Sequence, residues 1–523
     1  MLLNEGFSRF EKSYLWCLLG LLVFAFFYQL GIYPLFLEEP RRGLIALEMM
    51  QRDNYWVPTQ TGDLYFRKPP FYNWVLIASY KLFGETEFAT RFFSVLSHLL
   101  LGLLTYVFSK KYLGNMLAVL ISLSYLISLD ILVYFSTLGE IDLFYALITG
   151  CSLFLIFHYG ESRKYYKLFV FVYVLTAIGF LTKGLSALPY TAISLLVYFI
   201  ANKDFKRLIS LPHITGIATF AVLLVVYFFM FSQYEDVSGW WTTLYAESAD
   251  KAAGGGFVKW LKHIASFPLD TAKNLLPAAF IIPLMFSKKQ WKQVRQNKYV
   301  WYALLIFVFN FLIYWMSTEG RSRYIYPLFP MACIVLLAMY QQSEVRWKTT
   351  YLKGVVWFNL VVLLLAFGAL PFVPGLEVVE GVWIISVVCL ALIALLVSIH
   401  IRKRVRPYLV ILGVLVVLRL GFSAVIPQTR EKSTGAAKDK VAGIEMAEIT
   451  EGRSLFRYGD VRMSLTIVFY LERDREQPLY QTNETTGDYY FVYPKDLSDF
   501  KESVEVIRQF NYGEQEILLI KNF

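Results

Sequence analysis

Long apolar stretches recur along most of this 523-residue chain and decide what it can fold into. A helix needs about 20 consecutive apolar residues to cross the hydrocarbon core of a membrane, and we count about thirteen such stretches. They start near Tyr14, Phe92, Asn115, Ile141, Lys167, Leu185, Ile214, Asn274, Tyr299, Tyr324, Tyr351, Gly381 and Pro407. Charged residues make up 17% of the chain, against about 25% in an average soluble domain. We therefore predict an all-α polytopic membrane protein.

The connectors between these stretches alternate in their charge. One set carries most of the lysines and arginines, for example at 110–111, 163–167 and 402–406. Such an excess marks cytoplasmic connectors, so it also accounts for the net charge of +10 without a nucleic acid partner. The other set mixes acids, bases, aromatic residues and glycines. We predict that this second set lies on the extracytoplasmic side and forms the functional surface.

The connector after the first span, residues 38–74, is the most densely charged of this second set. We predict a short amphipathic helix over 43–52 and a second helix over 71–83, both lying in the membrane interface. Pro69-Pro70 favours an extended conformation at the residue before it. This loop can therefore hold charged groups at the depth of a lipid phosphate.

The remaining organisation follows from the composition of the later segments. Residues 1–428 are predicted to form the transmembrane domain, with a long external loop at 233–273, and residues 429–523 a small extracytoplasmic α/β domain. Within this tail, alternating apolar runs predict strands at 464–471, 488–494 and 514–522. The segments 461–472 and 497–509 are able to form helices.

Paired carboxylates stand at two of the external connectors. Glu38 and Glu39 follow the first span, and Glu140 and Asp142 open the fourth. A carboxylate beside guanidinium groups stays ionised, and it can orient a hydroxyl group or accept its proton. The alternative for both pairs is a structural one, in which the acids cap the helices that follow.

Basic residues form a second group of candidates. Arginine binds phosphate oxygens in a two-pronged fork, and lysine supplies a point charge. The candidates are Arg41, Arg67, Lys68, Arg321 and Arg323. Contact with ordinary lipid headgroups is their alternative role. Lys183, alone in an apolar stretch, is predicted to be structural or lipid-facing.

Metal and nucleotide chemistry find little support in the sequence. Of the five histidines only His263 falls in an external connector, so no histidine-based metal site can be assembled. No P-loop or dinucleotide fingerprint is present. We predict no cofactor, and a divalent metal has no support from these residues.

These motifs together resemble a known family. Four motifs are similar to those of the polytopic glycosyltransferases of the GT-C fold. They are the acidic pair and arginine after the first span, WVPTQTGDLYFRKPPFYNW at 56–74, FLTKG at 180–184 and RSRYIYPLFP at 321–330. Bacterial lipid A aminoarabinose transferases and protein mannosyltransferases are the relatives that the motifs resemble. The resemblance covers about residues 10–430 and implies the GT-C fold, an external active site and a polyprenyl phosphate sugar donor.

The resemblance also implies roles for individual residues. Glu38 takes the place of the family's catalytic aspartate, and Arg41 that of the arginine three residues later. Lys68 matches the lysine of the family's Lys-Pro-Pro motif, which holds the donor phosphate. Tyr324 matches the tyrosine of a tyrosine-x-leucine-proline-like motif late in the chain, and Lys251 a basic residue of the long loop. Arg67 stands where the aminoarabinose transferases have a glutamate that is a proposed metal ligand. This departure weakens the case for a metal and for lipid A as the acceptor.

We therefore predict an inverting glycosyltransferase (a hexosyl- or pentosyltransferase) in a bacterial inner membrane. Glu38, assisted by Glu39 or Asp142, would deprotonate the acceptor, which is a glycolipid such as lipid A, another glycan or a protein. Arg41, Lys68, Lys251, Arg321, Arg323 and Tyr324 would bind the donor phosphate. A transporter of lipid-linked sugars is the alternative, and a ligase with a diphosphate-linked donor is a third option. The absence of a convincing internal repeat disfavours the transporter.

Overall fold

The computed structural model describes residues 6–252, 256–285, 287–500 and 504–523. Its helices are α1 Arg9–Phe27, α2 Glu39–Gln51, α3 Phe71–Phe83, α4 Glu87–Leu113, α5 Asn115–Leu126, α6 Leu129–Val133, α7 Ile141–Glu161, α8 Tyr165–Lys183, α9 Ala187–Ala201, α10 Leu211–Ser232, α11 Ser238–Ala252, α12 Phe257–Asn274, α13 Lys288–Gln296, α14 Lys298–Met316, α15 Phe329–Gln341, α16 Lys348–Ala369, α17 Val382–Ile401, α18 Pro407–Ser433, α19 Ala436–Ile449 and α20 Leu465–Arg475. Its strands are β1 Thr59–Gln60, β2 Asp63–Leu64, β3 Leu455–Tyr458, β4 Gln481–Thr482, β5 Tyr489–Val492, β6 Val504–Tyr512 and β7 Gln515–Asn522.

The chain forms two compact units that are both discontinuous in sequence. The first unit consists of Met1–Leu30, Arg91–Val226 and Leu244–Thr429. The second consists of Gly31–Thr90, Tyr227–Thr243 and Arg430–Phe523. The first charged loop and the C-terminal tail thus belong to one unit, and a domain boundary at 428/429 stays a prediction.

Among the described residues, ten helical segments are long and apolar enough to cross a membrane. They are Arg9–Phe27, Glu87–Leu113, Ile141–Glu161, Tyr165–Ala201, Leu211–Ser232, Lys298–Met316, Ser322–Gln341, Lys348–Phe372, Val382–Ile401 and Pro407–Glu431. A further pair, Asn115–Leu126 and Leu129–Thr137, passes the same test together with a bend of 52°. The predicted class, an α-helical multi-pass membrane protein with a small C-terminal α/β part, is confirmed.

Three of the expected spans take a different local form. The stretches expected from Lys167 and Leu185 are one apolar segment, in which a single 3-10 turn at Gly184–Ser186 separates α8 from α9. The stretch expected from Asn274 contains the 3-10 helix Ala278–Leu284 and then the polar helix α13. Pro277 and Pro283 lack the N–H groups that a continuous α-helix would need there.

A buried arginine lies within the apolar core of the first unit. Arg419 of α18 is almost fully buried, and its guanidinium donates to the carbonyl oxygens of Leu132 at 2.6 Å and Ala25 at 3.3 Å. The same group lies 5.2 Å from the centre of the Phe26 ring. These contacts satisfy a charge that would otherwise be costly inside a membrane.

The first loop folds as two helices in the predicted places. Helix α3 has the predicted bounds, and α2 starts four residues before the predicted start at Gly43. All residues of α2 from Glu39 to Met49 except Arg41 are buried, including Glu48. The expected amphipathic pattern is therefore wrong for α2, because it packs against α3 on one side and α20 on another.

The tail builds a five-stranded sheet with the order β4-β3-β5-β7-β6. Strand β3 pairs in parallel with β4 and β5, and β7 pairs antiparallel with β5 and β6. The strands predicted at 488–494 and 514–522 are confirmed as β5 and β7.

Two other segments of the tail differ in secondary structure from what the sequence predicts. Residues 464–471 lie in helix α20 rather than in a strand, as the alternative for 461–472 allowed. A continuous apolar run that is buried on all sides has no periodicity that separates a helix from a strand. Of the range 497–509, for which a helix was considered, residues 504–509 lie in strand β6, and residues 501–503 lie outside the described residues.

The contact between α2 and its neighbours leaves no room for a side chain at Gly43. A Cβ atom there would lie 2.7 Å from the Tyr80 hydroxyl and 2.8 Å from the Phe469 ring. We expect Gly43→Ala to lower the free energy of unfolding by about 1–3 kcal/mol, the usual cost of overpacking a core. Thermal unfolding in detergent measures this. The matched change Gly354→Ala, at a helical glycine with nothing within 4 Å of its Cβ position, should cause no loss; equal loss in both would contradict the packing described here.

Candidate functional site

The start of α2 places Glu38 against two arginines. Glu38 is the N-cap residue, but among the described residues its side chain makes no capping hydrogen bond. Instead it forms an ion pair with Arg41 and lies 4.0 Å from a guanidinium nitrogen of Arg42. The Arg42 guanidinium also donates to the Tyr65 hydroxyl at 3.4 Å. Glu38 thus stands at the N-terminus of α2, as the structural alternative expected, but its carboxylate is held by arginines rather than by a capping hydrogen bond.

The two members of the acidic pair differ in exposure and in partner. The Glu38 side chain is 39% exposed. Glu39 is fully buried, and its carboxylate accepts a hydrogen bond of 3.3 Å from the backbone N–H of Phe36. Glu39 thus secures the turn that leads into α2, and Glu38 is the member that a substrate can reach.

The Lys-Pro-Pro segment lies on the other arm of the same loop. Pro69 and Pro70 are buried, Lys68 is half-buried, and its ammonium donates to the Arg67 carbonyl at 3.0 Å. Helix α3 begins directly after the prolines, and its Trp74 indole donates to the Tyr55 carbonyl at 2.6 Å. Prolines and aromatic packing therefore fix the backbone that presents Lys68.

A second group of charges lies in the first unit, at the ends of α7 and α8. The Lys183 ammonium lies 2.6 Å from one Asp142 oxygen, and the Arg323 guanidinium lies 3.9 Å from the other. Asp142 is 3% exposed and Lys183 is 10% exposed. This is a buried ionic cluster in which one carboxylate holds two cations.

Tyrosine rings surround the Lys183 ammonium. Its nitrogen lies 4.7 Å from the centre of the Tyr324 ring and 4.9 Å from that of Tyr145. The Tyr324 carbonyl accepts a hydrogen bond of 2.6 Å from Tyr190, which fixes the 3-10 helix Ser322–Leu328 beside the cluster. The rings attract the cation and restrict its position.

Local sequence explains why these charges sit where they do. Asp142 lies in the first turn of α7 and Lys183 in the last turn of α8, where a helix dipole favours an acid and a base respectively. Gly184, with a φ of 68°, ends α8 immediately after the lysine. Glu140 is the N-cap residue of α7 but makes no side-chain capping hydrogen bond among the described residues, so the capping role considered for it is not found.

The remaining candidates are less constrained. Arg321 and Arg67 are exposed. Lys251 falls near the end of α11, and its side chain lies outside the described residues. Of the residues predicted from the sequence, the structure brings together Asp142, Arg323 and Tyr324 in the first unit, and Glu38 with Arg41 in the second.

The sequence predicts a structural or lipid-facing Lys183. Its burial against Asp142 rules out the lipid-facing alternative and agrees with the structural one, but the ionic partner was not predicted. One signal was available: an isolated lysine at the end of an apolar span, directly before a glycine, has to find a partner at that edge of the membrane.

Sequence reasoning also missed a pair of buried carboxyl groups in the second unit, Glu48 of α2 and Glu472 of α20. Glu48 accepts hydrogen bonds from the backbone N–H groups of Thr61 and of Gly62, the latter at 3.1 Å. Glu472 accepts one of 2.9 Å from the N–H of Leu479. Burial and the neighbouring Glu48 raise the pKa of Glu472 well above its usual range. Burial likewise raises the pKa of Glu48, against the opposing effect of its hydrogen bonds.

These raised pKa values make stability depend on pH. A carboxyl group whose pKa is higher in the folded than in the unfolded protein favours folding while it is protonated, so stability falls as the pH rises from the ordinary glutamate pKa through the raised one. We expect the unfolding temperature in detergent to fall with rising pH over this window, and Glu472→Gln to flatten the slope. Glu451→Gln, at an exposed glutamate of the same tail, should keep the wild-type slope. An unchanged slope in Glu472→Gln would refute the buried pair as its source.

The positions of the acidic and metal-ligating side chains also bear on a metal site, for which the sequence gives no support. Among the residues that the structure describes, no three His, Cys, Asp or Glu side chains lie together as a metal site would require.

Known proteins are similar to this chain in sequence. The family profile described as Dolichyl-phosphate-mannose-protein mannosyltransferase matches residues 67–231. The undecaprenyl phosphate-alpha-4-amino-4-deoxy-L-arabinose arabinosyl transferase of Pectobacterium atrosepticum is 27% identical over 67% of this chain and 65% of its own length. The enzyme of the same name from Pectobacterium carotovorum is 27% identical over 71% of this chain and 68% of its own. The matched part thus spans about two thirds of these relatives.

The fold comparison covers nearly the whole chain. The crystal structure of ArnT from Cupriavidus metallidurans in the apo state superposes with a TM-score of 0.74, at 19% identity, over 98% of both chains. Sequence and fold together confirm the predicted resemblance: the chain is a multi-pass membrane protein of the GT-C fold, similar to the aminoarabinose transferases.

Proposed function

We propose that the chain is an inverting glycosyltransferase that moves a sugar from a polyprenyl phosphate, such as undecaprenyl phosphate, to an acceptor in the cell envelope. The acceptor classes are a glycolipid such as lipid A, another glycan or a protein. The arabinosyl transferases named above are similar to this chain over about two thirds of its length, so an aminopentose is the first donor sugar to test. A hexose is the second.

The observation that carries the proposal is the buried ionic cluster around Lys183. An ammonium and a guanidinium, held by one carboxylate at the end of apolar helices, form a place where a phosphate can replace carboxylate contacts with contacts of its own. Arg323 adds the fork geometry that suits phosphate oxygens. Ordinary headgroup binding needs neither the burial of Asp142 nor the tyrosines around Lys183.

The chemistry assigns a role to each type of group. The acceptor oxygen attacks the anomeric carbon, the bond from that carbon to the phosphate oxygen breaks, and the electron pair leaves on the polyprenyl phosphate. Glu38 accepts the proton of the acceptor hydroxyl as the new bond forms. Cationic groups stabilise the charge that develops on the departing phosphate, and such preorganised charge is often the largest catalytic contribution. Candidates for this role are Arg41, Lys68, Lys183, Lys251, Arg321 and Arg323, and the Tyr324 hydroxyl is a candidate hydrogen-bond donor to the same phosphate.

Orientation completes the proposal. The similarity to bacterial arabinosyl transferases supports an inner membrane location. The distribution of lysine and arginine between the connectors supports an orientation in which the first loop and the tail face the extracytoplasmic side. The proposed division is a transmembrane domain over 1–428, with the loops 38–83 and 233–273, and a separate tail domain over 429–523.

The test is a transfer assay in detergent with matched donors. The purified chain is given one labelled sugar on undecaprenyl phosphate or on undecaprenyl diphosphate, together with an envelope extract. We expect transfer from the monophosphate alone. Transfer from the diphosphate alone would make the chain a ligase instead. If no sugar is transferred, a separate assay with the chain in lipid vesicles measures movement of the intact labelled lipid across the membrane, and such movement would establish the transporter alternative.

A further inference from the structure

A buried arginine on the sheet of the tail binds the first loop with its side chain. Arg457 lies on β3, where its backbone pairs with Gln481 of β4 on one side and Phe491 of β5 on the other. Its position is therefore fixed by an interior strand. Its side chain is 7% exposed.

The guanidinium of Arg457 makes most of its contacts with the hairpin β1–β2 of the first loop. One terminal nitrogen donates to the Thr61 carbonyl at 2.7 Å and lies 2.9 Å from the Asp63 carboxylate. The other donates to the Val461 carbonyl at 3.1 Å, within the tail. A guanidinium presents its donors in a fixed plane, so these three partners define the position of the hairpin relative to β3.

The hairpin needs such support because its turn is strained. Thr61 and Gly62 have φ values of 55° and 78°, and Gln60 pairs with Asp63, as in a two-residue hairpin turn with both central residues left-handed. Threonine is β-branched and adopts this region rarely. Glu48 of α2 binds the N–H of Thr61 while Arg457 binds its carbonyl. The backbone of Thr61 is therefore held by a hydrogen bond on each side, one from α2 and one from the tail.

The hairpin leads directly to the candidate phosphate-binding lysine. Tyr65 follows β2, its N–H donates to the Pro58 carbonyl at 2.9 Å, and its hydroxyl accepts from Arg42. Phe66 packs on the ring of Phe231. Every residue between the hairpin and Arg67-Lys68 thus has a fixed neighbour, and a shift of the hairpin moves the lysine.

The tail also fixes the other arm of the loop. Tyr470 of α20 accepts a hydrogen bond of 3.0 Å from the N–H of Leu35, and the Thr466 hydroxyl donates to the carbonyl of the same residue at 3.2 Å. Leu35 lies three residues before Glu38. Both arms of the first loop are therefore attached to the tail.

We propose that Arg457 is a positioning residue for sugar transfer, which acts by holding the β1–β2 hairpin and thereby the Lys68 side chain at the donor phosphate. This inference rests on the proposed function, in which Lys68 binds that phosphate. It assigns the tail a part in donor binding.

The test measures binding of undecaprenyl phosphate directly, together with transfer kinetics. We expect Arg457→Gln to weaken binding and to raise the donor KM by about tenfold or more, as misplacement by about 1 Å does, with the acceptor KM unchanged. Arg457→Lys keeps the charge but cannot reach both hairpin partners, so it should restore only part of the affinity. Arg508→Gln, which breaks an ion pair with Glu445 inside the tail, should leave donor binding as in the wild type.

A double-mutant cycle separates positioning from simple stability. In a Lys68→Gln background, Arg457→Gln should cause little further loss of donor binding, because both act through the same side chain. If the two losses add in full, or if folded Arg457→Gln binds undecaprenyl phosphate like the wild type, the proposal is overturned. Should Arg457→Gln not fold, Asp63→Lys at the 58% exposed partner is expected to weaken donor binding in the same way, and unchanged binding overturns the proposal. Wild-type turnover reports the proposed function separately, since the binding ratios need no transfer.

Discussion

Glu38→Gln is expected to lower the rate of sugar transfer by about 10²- to 10⁴-fold, the contribution of a positioned general base. The change keeps the size of the side chain and removes its ability to accept a proton. Because Glu38 is partly exposed and its Arg41 partner lies on the surface of the same helix turn, the fold should survive. Transfer kinetics and thermal unfolding, measured on the same preparation, check both parts.

Two matched glutamates make this result specific. Glu344→Gln removes an exposed ion pair with Lys289 and should leave the rate unchanged. Glu39→Gln should lower the unfolding temperature more than Glu38→Gln does, because Glu39 is buried and accepts the Phe36 N–H. Full transfer activity in Glu38→Gln would remove it from the reaction and leave Asp142 as the remaining candidate base.

Lys183→Met is expected to lower transfer by about 10²- to 10³-fold, as loss of a preorganised charge does. It should also lower the free energy of unfolding by about 3–5 kcal/mol, because the buried Asp142 carboxylate loses its nearest cation. The single variant therefore cannot tell a catalytic loss from a folding loss.

The double variant Lys183→Met with Asp142→Asn separates the two effects. Without the Asp142 carboxylate, loss of the Lys183 ammonium leaves no buried anion unpaired, and only Arg323, which is less buried, loses a partner. The unfolding temperature should therefore return part of the way to that of the wild type. Transfer and binding of undecaprenyl phosphate should stay low. A double variant that folds and transfers at the wild-type rate would show that the cluster is structural.

The sequence predicts the membrane fold well because length and hydropathy are local properties. Interruptions of the helices are less predictable. A 3-10 helix that contains Pro283 and follows Pro277 stands where a span was expected. Two other expected spans form one apolar segment with only a 3-10 turn at Gly184 between them. In the tail, the sequence of α20 does not distinguish a helix from a strand, because the run is buried on all sides. That burial depends on the long-range contact with α2.

The candidate site is predictable only where its signals are contiguous. Glu38, Arg41 and Lys68 stand out because charges, prolines and aromatic residues crowd one loop. Lys183 and Asp142 are 41 residues apart, and their pairing follows from the packing of α7 on α8. Arg457 and Asp63 lie 394 residues apart, so a link between the tail and the first loop could not be read from either segment alone.

The attachment of both arms of the first loop to the tail bears on how the second unit works. Arg457 holds the hairpin and Tyr470 holds Leu35, while Glu48 binds the hairpin from α2. Shortening the tail would therefore alter the loop that carries Glu38 and Lys68, and loss of activity in such a truncation would not by itself show acceptor recognition by the tail.

The most direct test of the central claim is the stoichiometry of one transfer reaction. The purified wild-type chain is incubated with an envelope acceptor extract and a sugar linked to undecaprenyl phosphate, labelled in both the sugar and the lipid, and the products are separated. The account predicts one mole of free undecaprenyl phosphate for each mole of sugar attached to the acceptor, with both products formed about 10²- to 10⁴-fold more slowly by Glu38→Gln. Release of the lipid without attachment of the sugar, or attachment at the wild-type rate by Glu38→Gln, would contradict it.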